Sequence, residues 1–377
     1  MEPPPPAYET LTASAGPGPG KGLQREISLP DVITSGEANF GRQVSDEQRR
    51  QYLATLNLPP GIAQEILHSC RVFPLRIWVI DNSGSMGTGD GHRFVTGPAG
   101  REGLEPCSRW GELGDAILWH ATLAANLGAP TEFRLLNAPM AVGGGGYQVI
   151  QCGIAEPAAE IEQVKKMLRT DPVGRTPLCA QISQVVSRVR EEEARLRTQG
   201  LRAVVVVASD GQATDGNVAD AMRPFRELPV WTIVRLCTDE DSVVQYWNGI
   251  DEDLELDMDV LDDLSGEAGE VAQGNCWLTY GASLHRLREW GTARKVLDLL
   301  DEAPLDAAQM SEMIKLVAGS EVQLPNARDW PAFEAAITQI NTNLGTVWDP
   351  IRSRKRPWFS VSKIKKKYSG RATCTIS

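Results

Sequence analysis

An apolar run in this chain stops abruptly at a group of small polar residues, in the stretch I-W-V-I-D-N-S-G-S-M from Ile77 to Met86. Such a run is typical of a buried parallel strand, and open α/β sheets bind ligands at the carboxyl ends of their strands. Asp81, Ser83 and Ser85 would offer hard oxygen atoms there, which suit a cation of the magnesium class. On this stretch alone, an Asp-Ser turn that caps the next helix explains the same residues equally well.

Strand and helix patterns alternate from Leu75 onward. The predicted strands are 75–80, 131–136, 147–152, 202–208 and 230–236, and the predicted helices are 110–127, 161–168, 177–197 and 218–227. This alternation predicts an α/β fold with a doubly wound, mostly parallel sheet.

Changes in composition divide the chain into five predicted parts. Residues 1–40 form a Pro/Gly-rich tail that we expect to be disordered, 41–72 a helical lead-in, 73–282 the α/β domain, 283–346 a helical extension and 347–377 a polybasic tail. The segment 239–270 contains thirteen acidic residues and no basic one, and we interpret it as a solvated acidic face. Its D-x-D spacings lack the glycine expected in an EF-hand calcium loop.

Two later loops bring further oxygen ligands to the same edge. Thr176 precedes Pro177, which can occupy the first turn of the next helix, and Asp210 follows the most apolar strand of the chain. Because the carboxyl ends of parallel strands converge, one ion would be surrounded by the following residues: Asp81, Ser83, Ser85, Thr176 and Asp210.

Together, the D-x-S-x-S, T-P and S-D-G motifs resemble the metal-ion-dependent adhesion site of von Willebrand factor type A (VWA) domains, over roughly residues 73–280. All five motif positions match in order. The resemblance implies a Rossmann-like VWA fold that binds Mg²⁺, or Mn²⁺ or Ca²⁺ in its place. Ser83 and Ser85 would be direct ligands, Thr176 a direct or water-mediated ligand, and the two aspartates mainly water-mediated ligands. An acidic residue of a partner protein would complete the coordination.

The chain departs from this family between Met86 and the helix near Trp110, where the family usually turns quickly into its first helix. The insert is rich in glycine and lies on the metal-bearing rim, so we hypothesise that it shapes or covers the ligand face. A floppy insertion is the alternative.

The four histidines lie at unrelated places and no motif brings a general base to the site, so we predict that the protein is not an enzyme.

The last residues, C-T-I-S, match a C-a-a-X box of the farnesyl type, which predicts lipidation of Cys374. From Pro350 onward there are nine Lys/Arg and no Asp/Glu, and this cluster would attract an anionic membrane. We expect Trp358 and Phe359 to act as an interfacial pair. The alternative is a nuclear import or nucleic-acid patch, and hence a nuclear protein.

Near the other end, P-P-A-Y places Pro5, Pro6 and Tyr8 in the pattern of a ligand for WW domains. A low-complexity tail with a chance tyrosine is the alternative. The net charge of -11 argues against a general nucleic-acid binder. Scattered cysteines without C-x-x-C pairs, and the lack of a signal-like segment, predict a cytoplasmic location.

These features predict a metal-dependent protein-binding or scaffold protein that is tethered to the cytoplasmic face of a membrane. Its partners would be a protein with an acidic ligand residue, a WW-domain protein and the anionic membrane. The alternative is a VWA subunit of a larger ATPase, transport or ubiquitin-ligase-linked complex. The chain has no usable phosphate loop of its own, so any ATPase would be a separate chain.

Overall fold

A computed structural model of the chain describes residues 41–97, 101–139, 148–238, 240–254 and 256–368. Its strands are β1 Leu75–Ile80, β2 Gly91–Thr96, β3 Glu102–Cys107, β4 Thr131–Leu135, β5 Val149–Cys152, β6 Ala203–Ser209, β7 Val230–Leu236, β8 Met258–Leu261, β9 Thr346–Asp349 and β10 Arg354–Pro357. Six of them form one sheet in the order β5-β4-β1-β6-β7-β8. All neighbours in it are parallel except β4 and β5. The predicted α/β class with a mostly parallel sheet is therefore confirmed.

The two central strands are buried on both faces, as their apolar runs predict. Alternate residues of β1 point to opposite faces: Trp78 and Ile80 belong to one hydrophobic core, and Ile77 and Val79 belong to the other. The sheet is thus covered on both sides. Its carboxyl edge, where β1 and β6 end side by side, remains available to loops.

The helices are α1 Asp46–Ala54, α2 Pro60–Val72, α3 Arg109–Leu127, α4 Pro157–Leu168, α5 Leu178–Thr198, α6 Val218–Met222, α7 Asp241–Leu254, α8 Leu264–Asn275, α9 Ala282–Trp290, α10 Lys295–Glu302, α11 Ala307–Ala318, α12 Trp330–Leu344 and α13 Val361–Tyr368. The hydroxyl of Ser108 caps α3 by accepting a hydrogen bond from the amide of Gly111, and Gly128 ends it with a φ of 60°. The first turn of α3 lies at the carboxyl edge of the sheet, where Arg109 donates to Asp210 just after β6.

The lead-in and the extension pack into the same core as the sheet. Leu53 and Ile62 from the lead-in, and Phe333 from the extension, belong to the hydrophobic cluster that contains Trp78. The segments 41–72 and 283–346 therefore help to bury one face of the sheet.

The acidic segment 239–270 is only in part the solvated face that its composition predicts: among its described residues, Glu240, Asp253 and Glu270 are exposed. It contains α7, β8 and α8, and it buries Asp259 and Glu267 at 9% and 0% exposure. Both carboxylates accept hydrogen bonds from Arg288, and the Arg288 Nη2 to Asp259 Oδ1 distance is 2.8 Å. The prediction is wrong for these two residues because their counter-ion lies on α9, outside the acidic segment.

The basic segment after Asp349 is also folded in part, since β9 and β10 form a hairpin and α13 follows it. Trp358 and Phe359 are buried at 3% and 1% exposure, so the prediction of an interfacial pair is wrong. The predicted lipidation residue Cys374 and the predicted WW-ligand residues, Pro5, Pro6 and Tyr8, lie outside the described residues. In the part of the chain that the structure describes, no helix has the length and apolar character needed to cross a membrane.

Candidate metal centre

The carboxylate of Asp81 is held where β1 ends. Its backbone amide extends the sheet pairing by donating to the carbonyl of Ala208 at 2.9 Å. Oδ1 accepts from the amide of Ser83 at 2.8 Å, and Oδ2 accepts from the hydroxyl of Ser209 at 2.6 Å. Burial raises the pKa of Asp81, while these hydrogen bonds oppose that rise. Asp81 therefore joins the loops that follow β1 and β6.

Two hydroxyls and a second carboxylate continue from this point in a hydrogen-bonded row. Ser83 Oγ lies 3.0 Å from Ser85 Oγ, and Ser85 Oγ donates to Asp210 Oδ1 at 2.9 Å. Residues 84–87 form a short 3₁₀ turn, which brings Ser85 back beside Ser83. Four of the five predicted ligands are thereby connected at the carboxyl edges of β1 and β6.

Thr176 lies on a third loop, which is tied to the other two. The amide of Gly84 donates to the carbonyl of Gly174 at 3.1 Å, and the amide of Thr214 donates to the carbonyl of Thr176 at 2.9 Å. Gly174 has a φ of 94°, and a Cβ there would meet the Asn137 side chain at 2.9 Å. The Thr176 side chain belongs to a residue that is only 7% exposed. The loop that carries the fifth predicted ligand thus bridges the loops that carry the other four.

The donor set fits a hard divalent cation. It consists of hydroxyl and carboxylate oxygens, which are the ligands that Mg²⁺ prefers. Neighbouring ligands of an octahedral Mg²⁺ ion are roughly 2.9 Å apart, as follows from Mg–O distances of about 2.0–2.1 Å. The 3.0 Å separation of the Ser83 and Ser85 hydroxyls is close to this value. The residues present therefore suit the ion that the motif predicts.

An arginine that the sequence reasoning missed also contacts this group. Arg109 Nη1 donates to Asp210 Oδ2 at 3.0 Å, and Nε and Nη2 donate to the two oxygens of Asp90 at 2.8 and 2.7 Å. Nη2 also donates to Glu240 Oε1 at 3.1 Å. The hydrogen bond to Asp90 is the main cause that raises the pKa of Arg109 above its usual range. The only local signal for this role is that Arg109 closes the insert and opens α3.

The insert itself is a hairpin of β2 and β3, at least in its described part. Its base is fixed to α3, because the amide of His92 donates to Glu112 Oε2 at 2.9 Å. Farther along, the Phe94 ring lies 5.4 Å from the Trp348 ring. The alternative of a floppy insertion is therefore wrong for the two strands. Whether the hairpin shapes ligand binding stays a prediction.

A cavity of about 860 Å³ runs along the hairpin. Phe94, Trp119 and Trp348 give it aromatic walls, while Asp115 and Arg286 give it opposite charges. None of the five predicted ligands lines this cavity. The cavity and the candidate metal centre are therefore separate features of the molecule.

A second acidic group has the spacing of a metal site but already holds a cation. Oxygens of Glu267, Glu270 and Asp301 lie within 4.8 Å of one another. Arg288 donates to Glu267 and, at 3.2 Å, to Asp301 Oδ2. The guanidinium therefore takes the role of the counter-ion, and the arrangement is that of a structural ion network.

No protein-family model matches the chain, and no curated protein matches its sequence. The functional interpretation therefore depends on the motif positions and on the geometry described above.

Two of the histidines, His120 and His285, are buried beside Glu289, at 3.0 and 3.5 Å from its carboxylate oxygens. These two rings serve the core, not the candidate metal centre.

Proposed function

We propose that the protein is a metal-dependent protein-binding or scaffold protein with a VWA-type metal site. The observation that supports this most is the hydrogen-bonded row from Ser83 through Ser85 to Asp210, beside the anchored carboxylate of Asp81. This row lies where two adjacent parallel strands end, which is the usual ligand-binding edge of an open α/β sheet.

The proposed ligands are Ser83, Ser85 and Thr176, with Asp81 and Asp210 acting mainly through water. When bound, Mg²⁺ or Mn²⁺ would supply a Lewis-acidic position for a carboxylate of the partner protein. The chain's own residues orient the hydroxyls and hold the two carboxylates behind them. All five side chains thus have a role in holding the ion, and the proposed function is binding.

A metal titration tests the proposal. We expect the full chain to bind Mn²⁺ in isothermal titration calorimetry and the Ser85→Ala variant to lose at least tenfold in affinity. Ser187→Ala is a matched control, because that exposed hydroxyl donates only to the carbonyl of Ser183 in its own helix. Equal Mn²⁺ affinity in the wild type and Ser85→Ala would contradict the proposed site. Capture of protein partners that is lost with EDTA and restored by Mg²⁺ would support the binding role.

We also propose that the carboxyl-terminal region tethers the protein to an anionic membrane, through a lipid on Cys374 and nearby basic residues. Arg354, Lys355 and Lys366 are exposed, and Ile351 at the tip of the β9–β10 hairpin is 46% exposed. Basic residues beside an exposed apolar side chain favour an anionic bilayer. An unchanged membrane fraction in Cys374→Ser would remove the lipid from the proposal.

The proline motif near the amino terminus adds a second partner to the proposal. Pro5, Pro6 and Tyr8 would bind a WW-domain protein while the metal site binds an acidic partner. Tyr8→Ala should abolish capture by an isolated WW domain without changing Mn²⁺ affinity. Capture that persists in Tyr8→Ala would exclude this motif.

A further inference from the structure

Arg109 carries a positive charge, and the carboxylate of Asp210 lies between its guanidinium and the Ser85 hydroxyl. Asp210 uses Oδ1 to accept from Ser85 at 2.9 Å and Oδ2 to accept from Arg109 at 3.0 Å. The Arg109 and Asp210 side chains are only 7% and 1% exposed. A charged pair at such low exposure is weakly screened by water, so its strength depends on the charges around it.

The other two carboxylates on Arg109 are in a different environment. Asp90 accepts hydrogen bonds from Nε and Nη2 in a bidentate contact, and Glu240 accepts one from Nη2. Their side chains are 50% and 61% exposed. The guanidinium therefore bridges a buried carboxylate of the candidate metal centre and two exposed carboxylates of the rim.

We propose that Arg109 is the residue that sets the metal affinity of this site, because it is a built-in cation that competes with the metal for Asp210. The proposal rests on the metal-binding function proposed above. With no metal bound, Arg109 neutralises Asp210. With a divalent ion bound beside Ser85, the guanidinium would bond to Asp210 directly and the ion would contact it mainly through water, so the two cations would share one carboxylate and repel each other.

The rim carboxylates moderate this competition. By holding Nε and Nη2, Asp90 leaves only Nη1 to contact Asp210, at 3.0 Å, and its own negative charge offsets part of the arginine's positive charge. Loss of Arg109 would leave Asp210 without a counter-charge, which a divalent ion would then supply. Loss of Asp90 would instead weaken metal binding, because the full positive charge of Arg109 would then face Asp210.

The test is Mn²⁺ binding to the full chain, measured from the electron paramagnetic resonance signal of the free ion. We expect Arg109→Gln to lower the Mn²⁺ Kd at least tenfold and to gain more in Tm from Mn²⁺ than the wild type does. Arg188→Gln is the matched control, because Arg188 also pairs with a buried carboxylate, Glu132 at 2.8 Å, and should leave the Kd within twofold of the wild type. Combining Ser85→Ala with Arg109→Gln should remove the gain.

Two further variants separate charge from positioning and cover a failure of Arg109→Gln to fold. Arg109→Lys keeps the positive charge but cannot make the bidentate contact with Asp90. Its Kd should therefore stay within threefold of the wild type. Asp90→Asn, at an exposed position, should raise the Kd at least threefold. An unchanged or weaker Kd in Arg109→Gln, or an unchanged Kd in Asp90→Asn, would overturn the role of Arg109 while leaving the proposed metal site intact. Absence of Mn²⁺ binding in every variant would overturn the metal site itself.

Discussion

Arg288 and Arg109 each hold three carboxylates, but in opposite environments. The Arg288 side chain is 0% exposed and its partner Glu267 is also 0% exposed. The Arg109 side chain is 7% exposed and faces buried Asp210 on one side, but Asp90, 50% exposed, on the other. The first group is closed, that is, largely shielded from solvent, which favours a structural role, whereas the second has partners that water or another ion can replace. The comparison shows that access to solvent, not the number of acidic residues, distinguishes a candidate binding site from a structural ion network.

Breaking the closed group should have the largest effect. Arg288→Met leaves Glu267 and Asp259 as buried carboxylates without their counter-ion, and losing one partner of a buried ion pair costs about 3–5 kcal/mol. We expect the free energy of unfolding in urea to fall by about that amount. The Mn²⁺ affinity should not change, because Arg288 contacts none of the five proposed ligands in the described structure.

Arg223→Met is the control for Arg288→Met. Arg223 is 60% exposed and pairs with Asp220, which is 66% exposed. Such a surface pair contributes about 0–1 kcal/mol, so this variant should unfold close to the wild type. A loss of stability in Arg288→Met no larger than in Arg223→Met would show that the buried group is not the structural element that its burial indicates.

A pH titration should give the next largest effect, again in the closed part of the molecule. Burial lowers the pKa of His120 from its ordinary value of 6.5 to about 4, despite its hydrogen bond to Glu289. Between these two pH values the unfolded chain binds a proton that the folded protein does not, so stability falls as the pH drops from about 6.5 to about 4. The loss is at most roughly 3 kcal/mol, since one pKa unit corresponds to about 1.4 kcal/mol.

His120→Gln keeps a hydrogen-bond donor for Glu289 but cannot take up this proton. Its Tm should therefore fall less than the Tm of the wild type over the same pH range. Glu289 is a separate contributor: burial raises its pKa, but Arg286 and His285 bring the net pKa well below the usual range, so its own effect lies at lower pH. Parallel Tm curves for the wild type and His120→Gln between pH 6.5 and 4.5 would contradict a buried neutral histidine.

The difference between the two groups also explains what the sequence can predict. Asp81, Ser83 and Ser85 follow a strand directly, and Asp210 follows another, so the convergence of parallel strands brings them to one edge without knowledge of side-chain packing. The central strands and their helices are predicted for the same reason, because their patterns are local.

The arginines cannot be found in this way, because each finds its partners through the folded chain. Arg109 is 101 residues from Asp210 and 131 from Glu240 in sequence. Burial of Trp358 likewise depends on distant packing, since its backbone carbonyl pairs with the amide of Thr279. A local pattern gives aromatic residues in a basic segment the same appearance whether they enter a core or face a membrane.

The smallest expected effect on stability concerns the open group. Asp90→Asn removes a charge that is half exposed to solvent, and exposed ion pairs contribute about 0–1 kcal/mol because water and salt screen them. We expect a change of that size in the free energy of unfolding, which should shrink in 1 M salt because the Debye length is then about 3 Å. A loss as large as that of Arg288→Met would mean that the rim pair is structural after all. In that case Asp90 would be a fixed part of the fold, and not an exposed carboxylate that only offsets the charge of Arg109 beside the proposed metal site.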